Sequence, residues 1–269
     1  LQESLPFELT RAQHKALAEI RGELAQPCPM QRLLQGDVGS GKTILAALAA
    51  LQCVENGYQV ALMAPTEILA EQHYAQFTRW LAPIGIPVVW LAGGLKKPDR
   101  KRALEKVSRG EAMIAVGTHA LFEQEVEFKN LGLAIIDEQQ RFGVHQRLAL
   151  RMKGARSGRA SQPHQLMMSA TPIPRTLAMS YYADLDVSVI DEMPPGRTPV
   201  ATRLVSEARR AEVIQRIRDA CMAGSQAYWV CPLVEDSDQL QLKAALETYE
   251  TLRRTFPELR VGLVHGRLK

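Results

Sequence analysis

The sequence predicts an α/β protein with a central, mainly parallel β-sheet. Short apolar runs punctuated by Gly or Pro recur along the chain, and helical stretches separate most of them. This alternation is typical of buried parallel strands joined by right-handed crossovers, and ligands of such sheets bind at the carboxyl ends of the strands. The predicted strands of this sheet are 60–64, 88–92, 112–116, 133–136 and 166–168, with a further strand at Leu33 and Leu34.

The bulk composition is that of an ordinary globular protein. Hydrophobic residues make up 46% and charged residues 23% of the 269 positions, which argues against disordered and fibrous classes. The formal net charge of +4 is too small to indicate nucleic acid by itself. The four cysteines form no Cys-x-x-Cys pair, which favours reduced thiols in a cytoplasmic protein. No apolar run is long enough to span a membrane, so no membrane partner is expected.

Three helices are expected around these strands. Residues 10–25 have an amphipathic pattern, and Thr10 is placed to cap the helix that they form. The stretches 67–81 and 97–108 are the other two, and both separate predicted strands.

A Pro-rich segment predicts a domain boundary near residue 194. We assign 1–193 to a first domain, 194–199 to a linker and 200–269 to the start of a second α/β domain. Because the chain begins without Met and the second domain holds few predicted strands, we expect a piece of a longer protein. The expected elements of the second domain are strands at 200–205, 226–231 and 261–264 and helices at 208–222 and 240–256.

The first site signal is a P-loop pattern that follows the strand at Leu33 and Leu34. The pattern is Gly, any four residues, Gly, Lys and Thr. Residues 44–51, which strongly favour a helix, follow it. Glycines let successive backbone N–H groups face an anion at the helix N-terminus, Lys42 would reach the β- and γ-phosphates, and Thr43 would bind Mg²⁺. The predicted phosphate-binding residues are Gly36, Asp37, Val38, Gly39, Ser40, Gly41, Lys42 and Thr43.

The second signal is a pair of adjacent acids at the end of the apolar strand 133–136. Two charges at the mouth of a buried strand are costly unless a cation sits there, and Mg²⁺ shared with Thr43 would supply one. Asp137 is assigned to the metal, and Glu138 to the water that attacks the γ-phosphate. Lys42, Asp137 and Glu138 are therefore the predicted catalytic residues.

At this point the sequence resembles superfamily 2 helicases, and within them the RecG family of bacterial fork-remodelling helicases. The transcription–repair coupling factors, which are related to this family, usually carry Phe at the position of Ser40 and a second Glu at that of Gln139. Both positions therefore favour the RecG family. The resemblance implies a RecA-like first domain and the beginning of a second. It rests on seven segments in order: 36–43, 64–72, 117–121, 137–143, 169–176, 195–199 and 264–267.

The resemblance also implies ATP and Mg²⁺ as cofactors and assigns further residues. Gln13 matches the glutamine that recognises the adenine edge, and Phe7 is placed to pack on the base; an exposed polar helix residue is the alternative for Gln13. Gln140 departs from the family's usual His. The residues implied in DNA binding or in its coupling to hydrolysis are Thr66, Thr118, Gln140, Arg141, Ser169, Thr171 and Arg175. Helix caps or a simple strand-to-helix turn are the structural alternatives for the Thr and Ser positions.

Branched or duplex DNA is the partner that the resemblance implies, through the phosphate backbone. Basic residues concentrate at 96–109 and at 141–159, where such clusters bind phosphate by counterion release or form a solvated face. The other implied partners are a wedge domain and the rest of the second motor domain of the same protein, and a monomer is expected. Without the arginine of a later motif, residues 1–269 alone are expected to bind ATP, to hydrolyse it poorly and not to unwind DNA.

Four other functions are compatible with parts of the sequence. An RNA-directed ATPase would share every motif of this chain. The transcription–repair coupling translocase would share most of the motif positions. A nucleotide-binding module would bind ATP without turnover. A small-molecule kinase would share the P-loop, but the segment 169–171 and the two threonines at 66 and 118 argue against it.

Overall fold

The computed structural model describes residues 7–123, 125–138, 162–171, 185–192, 198, 200–231 and 238–265. The chain divides into two compact units, 1–197 and 198–269. The division falls within the predicted linker, of which only residue 198 is described, so the domain boundaries stay a prediction. Among the described residues no helix is long and apolar enough to cross a membrane.

The described part of the first unit contains seven strands and four α-helices, which alternate as far as β4. Thr10 caps the first helix as predicted, and its hydroxyl accepts a hydrogen bond from Gln13 N. The elements in chain order are α1 Arg11–Leu24, β1 Gln31–Gly36, α2 Lys42–Glu55, β2 Gln59–Met63, α3 Glu67–Leu81, β3 Val88–Leu91, α4 Lys97–Arg109, β4 Ile114–Gly117, β5 Leu131–Ile136, β6 His164–Ser169 and β7 Asp186–Ile190.

The seven strands form one sheet in the order β3-β4-β2-β5-β6-β1-β7, and every pair is parallel. The α/β fold with a central parallel sheet is therefore confirmed. The order places β6 between β1 and β5, so the P-loop after β1 and the acids after β5 lie at the same edge of the sheet. Strand β7, which was not predicted from the sequence, pairs with β1 and forms one edge of the sheet.

Two apolar clusters, each built on alternate residues of the strands, fill the first unit. Strands β1, β2 and β5 contribute Leu34, Leu62 and Ile135 to the cluster that packs against α1 and α2. The neighbouring residues Leu33, Met63 and Ala134 belong to the other cluster. This alternation explains why β1, β2 and β5 appear in the sequence as continuous apolar runs, since both of their faces are buried.

The second unit contains two α-helices among its described residues, α5 Arg210–Met222 and α6 Asp238–Thr255, close to the predicted bounds. The three strands predicted at 200–205, 226–231 and 261–264 are wrong for the structure, which has no strand in these segments. A strand exists only where a neighbour completes its hydrogen-bond ladder, and these apolar segments have none. Leu204 and Tyr228, with relative exposures of 103% and 92%, lie at the surface of the unit.

Candidate nucleotide-binding site

The loop between β1 and α2 has the conformation that its glycines predict. Gly39 and Gly41 have φ angles of 80° and 92°, in the left-handed region that favours glycine. The turn is closed by a 3.0 Å hydrogen bond that Ser40 N donates to Asp37 O. Gly36 is also required for space, because a Cβ there would come within 2.5 Å of Ser40 Oγ. The loop therefore leads directly into the N-terminus of α2, where anions bind favourably.

Lys42 is the first residue of α2, and its ammonium turns back into the loop. Nζ donates hydrogen bonds to Gly36 O at 2.6 Å and to Asp37 O at 3.0 Å. Burial lowers the pKa of Lys42 below its ordinary value, while the negative charges of Asp137, Glu138 and Asp37 act in the opposite direction. Its electrostatic partners thus include both acids predicted for the site.

Asp137 directly follows β5, and both of its carboxylate oxygens are held. Oδ1 accepts a 3.0 Å hydrogen bond from Glu138 N, and Oδ2 lies 2.7 Å from His73 Nε2. The Asp137 backbone N–H continues the sheet by donating to Met63 O at 2.8 Å. Glu138 has a φ of 48°, which is uncommon for a residue other than glycine and typical of functional sites.

The three strand ends at this edge bring the predicted site residues together. Adjacent strands lie about 4.8 Å apart, so the ends of β1 and β5 on either side of β6 are separated by roughly 10 Å. Ser169 ends β6 between them and is fully buried. Its Oγ lies 3.0 Å from Thr171 Oγ1 and accepts a 3.2 Å hydrogen bond from Thr171 N. These contacts form a turn and leave both interpretations of this segment open.

The donors present fit a magnesium ion bound together with nucleotide phosphates. Mg²⁺ is held in such sites by one or two carboxylates, a hydroxyl, substrate oxygens and water. Asp137 keeps lone pairs beyond the two that its hydrogen bonds use, and Thr43 is partly exposed in the first turn of α2. The described residues contain no cluster of three or more His, Cys, Asp or Glu side chains that could hold a metal. A site of this kind needs none.

Comparison with known proteins assigns the family. The family model for DEAD/DEAH box helicases matches residues 10–180. The chain belongs to this family. It is 58% identical over 267 residues to the ATP-dependent DNA helicase RecG of Haemophilus influenzae, and 57% identical over 267 residues to that of Escherichia coli K12. Each alignment covers 99% of this chain and 38% of the relative, so the chain spans little more than a third of the length of these relatives.

Solved structures agree with this assignment. A structure of RecG bound to a three-way DNA junction matches with a TM-score of 0.78 and 44% identity, covering 94% of this chain and 32% of that one. A DEAD-box helicase bound to single-stranded RNA matches with a TM-score of 0.55 and 19% identity over 71% of this chain and 42% of that one, which shows the fold alone. The predicted similarity to the RecG family and the predicted RecA-like α/β fold are therefore confirmed.

Gln13 contacts the P-loop from α1. Its side chain is buried, with 5% relative exposure, so the alternative of an exposed helix residue is wrong. Oε1 accepts from Thr10 N at 2.8 Å and Nε2 donates to Ser40 O at 2.7 Å. Each of these atoms can form a second hydrogen bond, so adenine recognition by Gln13 stays a prediction. Phe7 is 48% exposed.

The two threonines predicted to contact DNA have different surroundings. Thr66 is exposed and caps α3, with its Oγ1 accepting from Leu69 N at 3.3 Å. Thr118 follows β4 and is 2% exposed, and its Oγ1 has no hydrogen-bond partner among the described residues. A cap and a phosphate contact are compatible at Thr66. The hydroxyl of Thr118 lies below the surface, and its contact with DNA stays a prediction.

The remaining predicted DNA-binding residues lie outside the described residues. They are Gln140, Arg141, Arg175 and the basic run 141–159. The other basic run forms α4, where Arg100 pairs with Glu123 and lies 3.6 Å from Glu125. This pairing neutralises one of its charges, while the side chains of Lys97 and Lys101 are exposed.

Two contacts of the site were missed by sequence reasoning. His73 contacts Asp137 from the second turn of α3, and Glu192 Oε2 accepts from Ala12 N at 2.9 Å, at the start of α1. A single His in an amphipathic helix gives no signal of its own.

Proposed function

We propose that this chain is the ATP-binding part of a DNA helicase that remodels branched DNA, such as stalled forks and junctions, in repair and recombination. Residues 1–193 would form the first motor domain, 194–199 the linker and 200–269 the start of the second motor domain. The observation that carries the proposal is the P-loop and the Asp137–Glu138 pair at one sheet edge, in a chain 57–58% identical to two RecG helicases.

The site residues would divide the chemistry of ATP hydrolysis between them. The backbone N–H groups of the loop and the Lys42 ammonium would bind the phosphates, and Gln13 would bind the adenine. Thr43 and Asp137 would hold Mg²⁺, which neutralises the charge that develops on the phosphate oxygens. Glu138 would orient the attacking water and accept its proton. Its left-handed backbone, with a φ of 48°, turns it away from the line of β5.

Contacts with DNA would link this chemistry to movement. Thr66, Thr118, Arg141 and Arg175 would contact the phosphate backbone, which positions a protein without reading sequence. Gln140, Ser169 and Thr171 would connect these contacts to the nucleotide site. Since the described relatives are bacterial helicases that act on DNA, we assign the protein to the cytoplasm of a bacterium, and a monomer suffices for this mechanism.

The decisive experiment measures ATP hydrolysis by the natural full-length protein without nucleic acid and with linear duplex, branched DNA or RNA. We expect the largest stimulation with branched DNA and a steep loss of stimulation as salt rises, because phosphate contacts release counterions. Stronger stimulation by RNA would instead indicate an RNA-directed ATPase. Binding without turnover under every condition would indicate a nucleotide-binding module.

Two variants separate binding from hydrolysis. Lys42→Ala should abolish both, because it removes the cation that binds the phosphates. Glu138→Gln should retain ATP binding and lower turnover by about 10²–10⁴-fold, the usual contribution of a general base. Equal loss of ATP affinity in both variants would contradict the role of Glu138.

A further inference from the structure

The contact between His73 and Asp137 joins two elements that are far apart in sequence. His73 Nε2 lies 2.7 Å from Asp137 Oδ2, across 64 residues of chain. Both side chains are nearly buried, with relative exposures of 10% and 12%. A hydrogen bond in such surroundings is electrostatically stronger than one in water and fixes the geometry of both partners.

We infer that His73 is a positioning residue, which holds the Asp137 carboxylate in the orientation that binds the magnesium–nucleotide complex. The inference rests on the proposed function of Asp137 as the metal-side carboxylate. An ionised carboxylate only accepts hydrogen bonds, so His73 donates through Nε2–H. Residues that hydrogen-bond a metal ligand orient it, and their loss typically costs 10–100-fold in metal affinity or activity.

His73 provides a different constraint from the other hydrogen bond to this carboxylate. Oδ1 accepts from the backbone N–H of Glu138, the next residue in the same turn. That bond moves with the turn, so it cannot fix the carboxylate relative to the rest of the domain. His73 can, because it belongs to α3, a separate helix that packs on the sheet.

The packing of α3 explains why His73 is a firm support. Ala70, Phe77 and Leu81 lie on the same face as His73 and are fully buried. The ring of Tyr74 also contacts Trp90 of β3, with 5.7 Å between centroids. Close packing of this kind leaves the helix little freedom to shift relative to the sheet. The orientation of Asp137 is therefore set by α3 as well as by its own strand.

The experiment compares three variants of the natural full-length protein. His73→Leu removes the donor and keeps an apolar side chain, whereas His73→Gln keeps an N–H donor at a similar reach. Thr78→Val is the matched control, because Thr78 lies on the same helix and its buried Oγ1 has no partner among the described residues. The first readout is the affinity for a fluorescent ADP analogue, measured with Mg²⁺ and with EDTA. The second is the Mg²⁺ concentration that gives half-maximal ATP hydrolysis.

We expect His73→Leu to weaken Mg²⁺-dependent ADP binding, and to raise the half-maximal Mg²⁺ concentration, by about tenfold or more. Its affinity in EDTA should match that of the wild type, since the phosphates still contact the P-loop. His73→Gln should restore both values to within roughly threefold of wild type, and Thr78→Val should leave them unchanged.

Three results would overturn the inference. One is a wild-type Mg²⁺ dependence in His73→Leu. Another is an equal loss in His73→Leu and His73→Gln that extends to the EDTA measurement, which would assign His73 a packing role. If the wild-type protein itself shows no Mg²⁺-dependent ADP binding, the proposed function fails and this inference fails with it.

Discussion

Gly41 is the position where the geometry of the P-loop makes its sharpest prediction. It has a φ of 92°, and a Cβ added there would lie 2.3 Å from Gln13 Nε2. Gly41→Ala therefore imposes backbone strain and also displaces the side chain that donates to Ser40 O. These two effects can be separated because only the second depends on Gln13.

The magnitude follows from adding the two effects. An alanine in the left-handed region costs about 1–2 kcal/mol. Displacing the Gln13 amide loses a hydrogen bond worth about 1 kcal/mol net. Gly41→Ala should therefore lower the free energy of unfolding by about 2–3 kcal/mol. In a Gln13→Ala background the amide is absent, and the same substitution should cost only about 1–2 kcal/mol.

Urea unfolding of the first unit tests this double-mutant cycle. Fluorescence of Trp80 and Trp90 reports on that unit once Trp229 is replaced by Phe. Gly57→Ala is the control, because Gly57 has a φ of 77° with nothing within 4 Å of an added Cβ. It should show the strain cost alone, in either background. If Gly41→Ala costs the same with and without the Gln13 side chain, to within about 0.5 kcal/mol, the predicted clash is refuted.

Three further predictions concern groups outside the candidate nucleotide-binding site. Arg32→Met should lower the free energy of unfolding, measured in urea, by about 1–3 kcal/mol. This is less than the loss expected for a fully buried ion pair, because its partners Glu19 and Glu23 are 34% and 27% exposed. Arg102→Met is the control and should change the free energy of unfolding by less than about 0.5 kcal/mol, because the Arg102 side chain is 76% exposed. The hydrogen bond from Ala12 N lowers the pKa of Glu192 from its ordinary value of 4.5. Glu192→Gln should therefore lower the thermal unfolding midpoint above pH 4.5, and its difference from wild type should shrink as pH falls through the lowered pKa. A difference between the two midpoints that does not change with pH would contradict this. Burial raises the pKa of the Cys53 thiol to about 12, so alkylation at neutral pH, located by mass spectrometry, should modify exposed Cys28 in the folded protein and Cys53 only after unfolding.

The sequence predicts the centre of the sheet better than its margins, for a physical reason. Strands β2 and β5 are buried on both faces, so they appear as continuous apolar runs and their positions were predicted to within two residues. Strand β7 lies at the edge and interleaves polar Asp186 and Ser188 with apolar residues, so it lacks that signal. In the second unit the error is reversed. Apolar segments such as 226–231 have the composition of strands, but composition supplies no hydrogen-bonding neighbour.

The candidate site shows the same limit at the level of single residues. Lys42 and Asp137 are predicted from motifs that follow β1 and β5, and the sheet order brings the ends of these two strands to one edge. The burial of Thr118 and the contact of His73 depend on how α3 and the segment after β4 pack, which no local pattern encodes. Motifs therefore predict the groups that would bind the nucleotide, whereas tertiary packing determines which other groups contact them.

Support from distant elements has a consequence for the rigidity of the loop itself. Glu192, just beyond β7, accepts from the first turn of α1, and Gln13 in that turn donates to Ser40 O of the P-loop. His73 likewise links α3 to Asp137. The P-loop and the Asp137 carboxylate are thus each hydrogen-bonded to a helix other than the one that follows their own strand. Because a functional group must be held to within about 0.5 Å to be effective, we expect these two hydrogen bonds to matter to the proposed site as much as the residues proposed to bind the nucleotide.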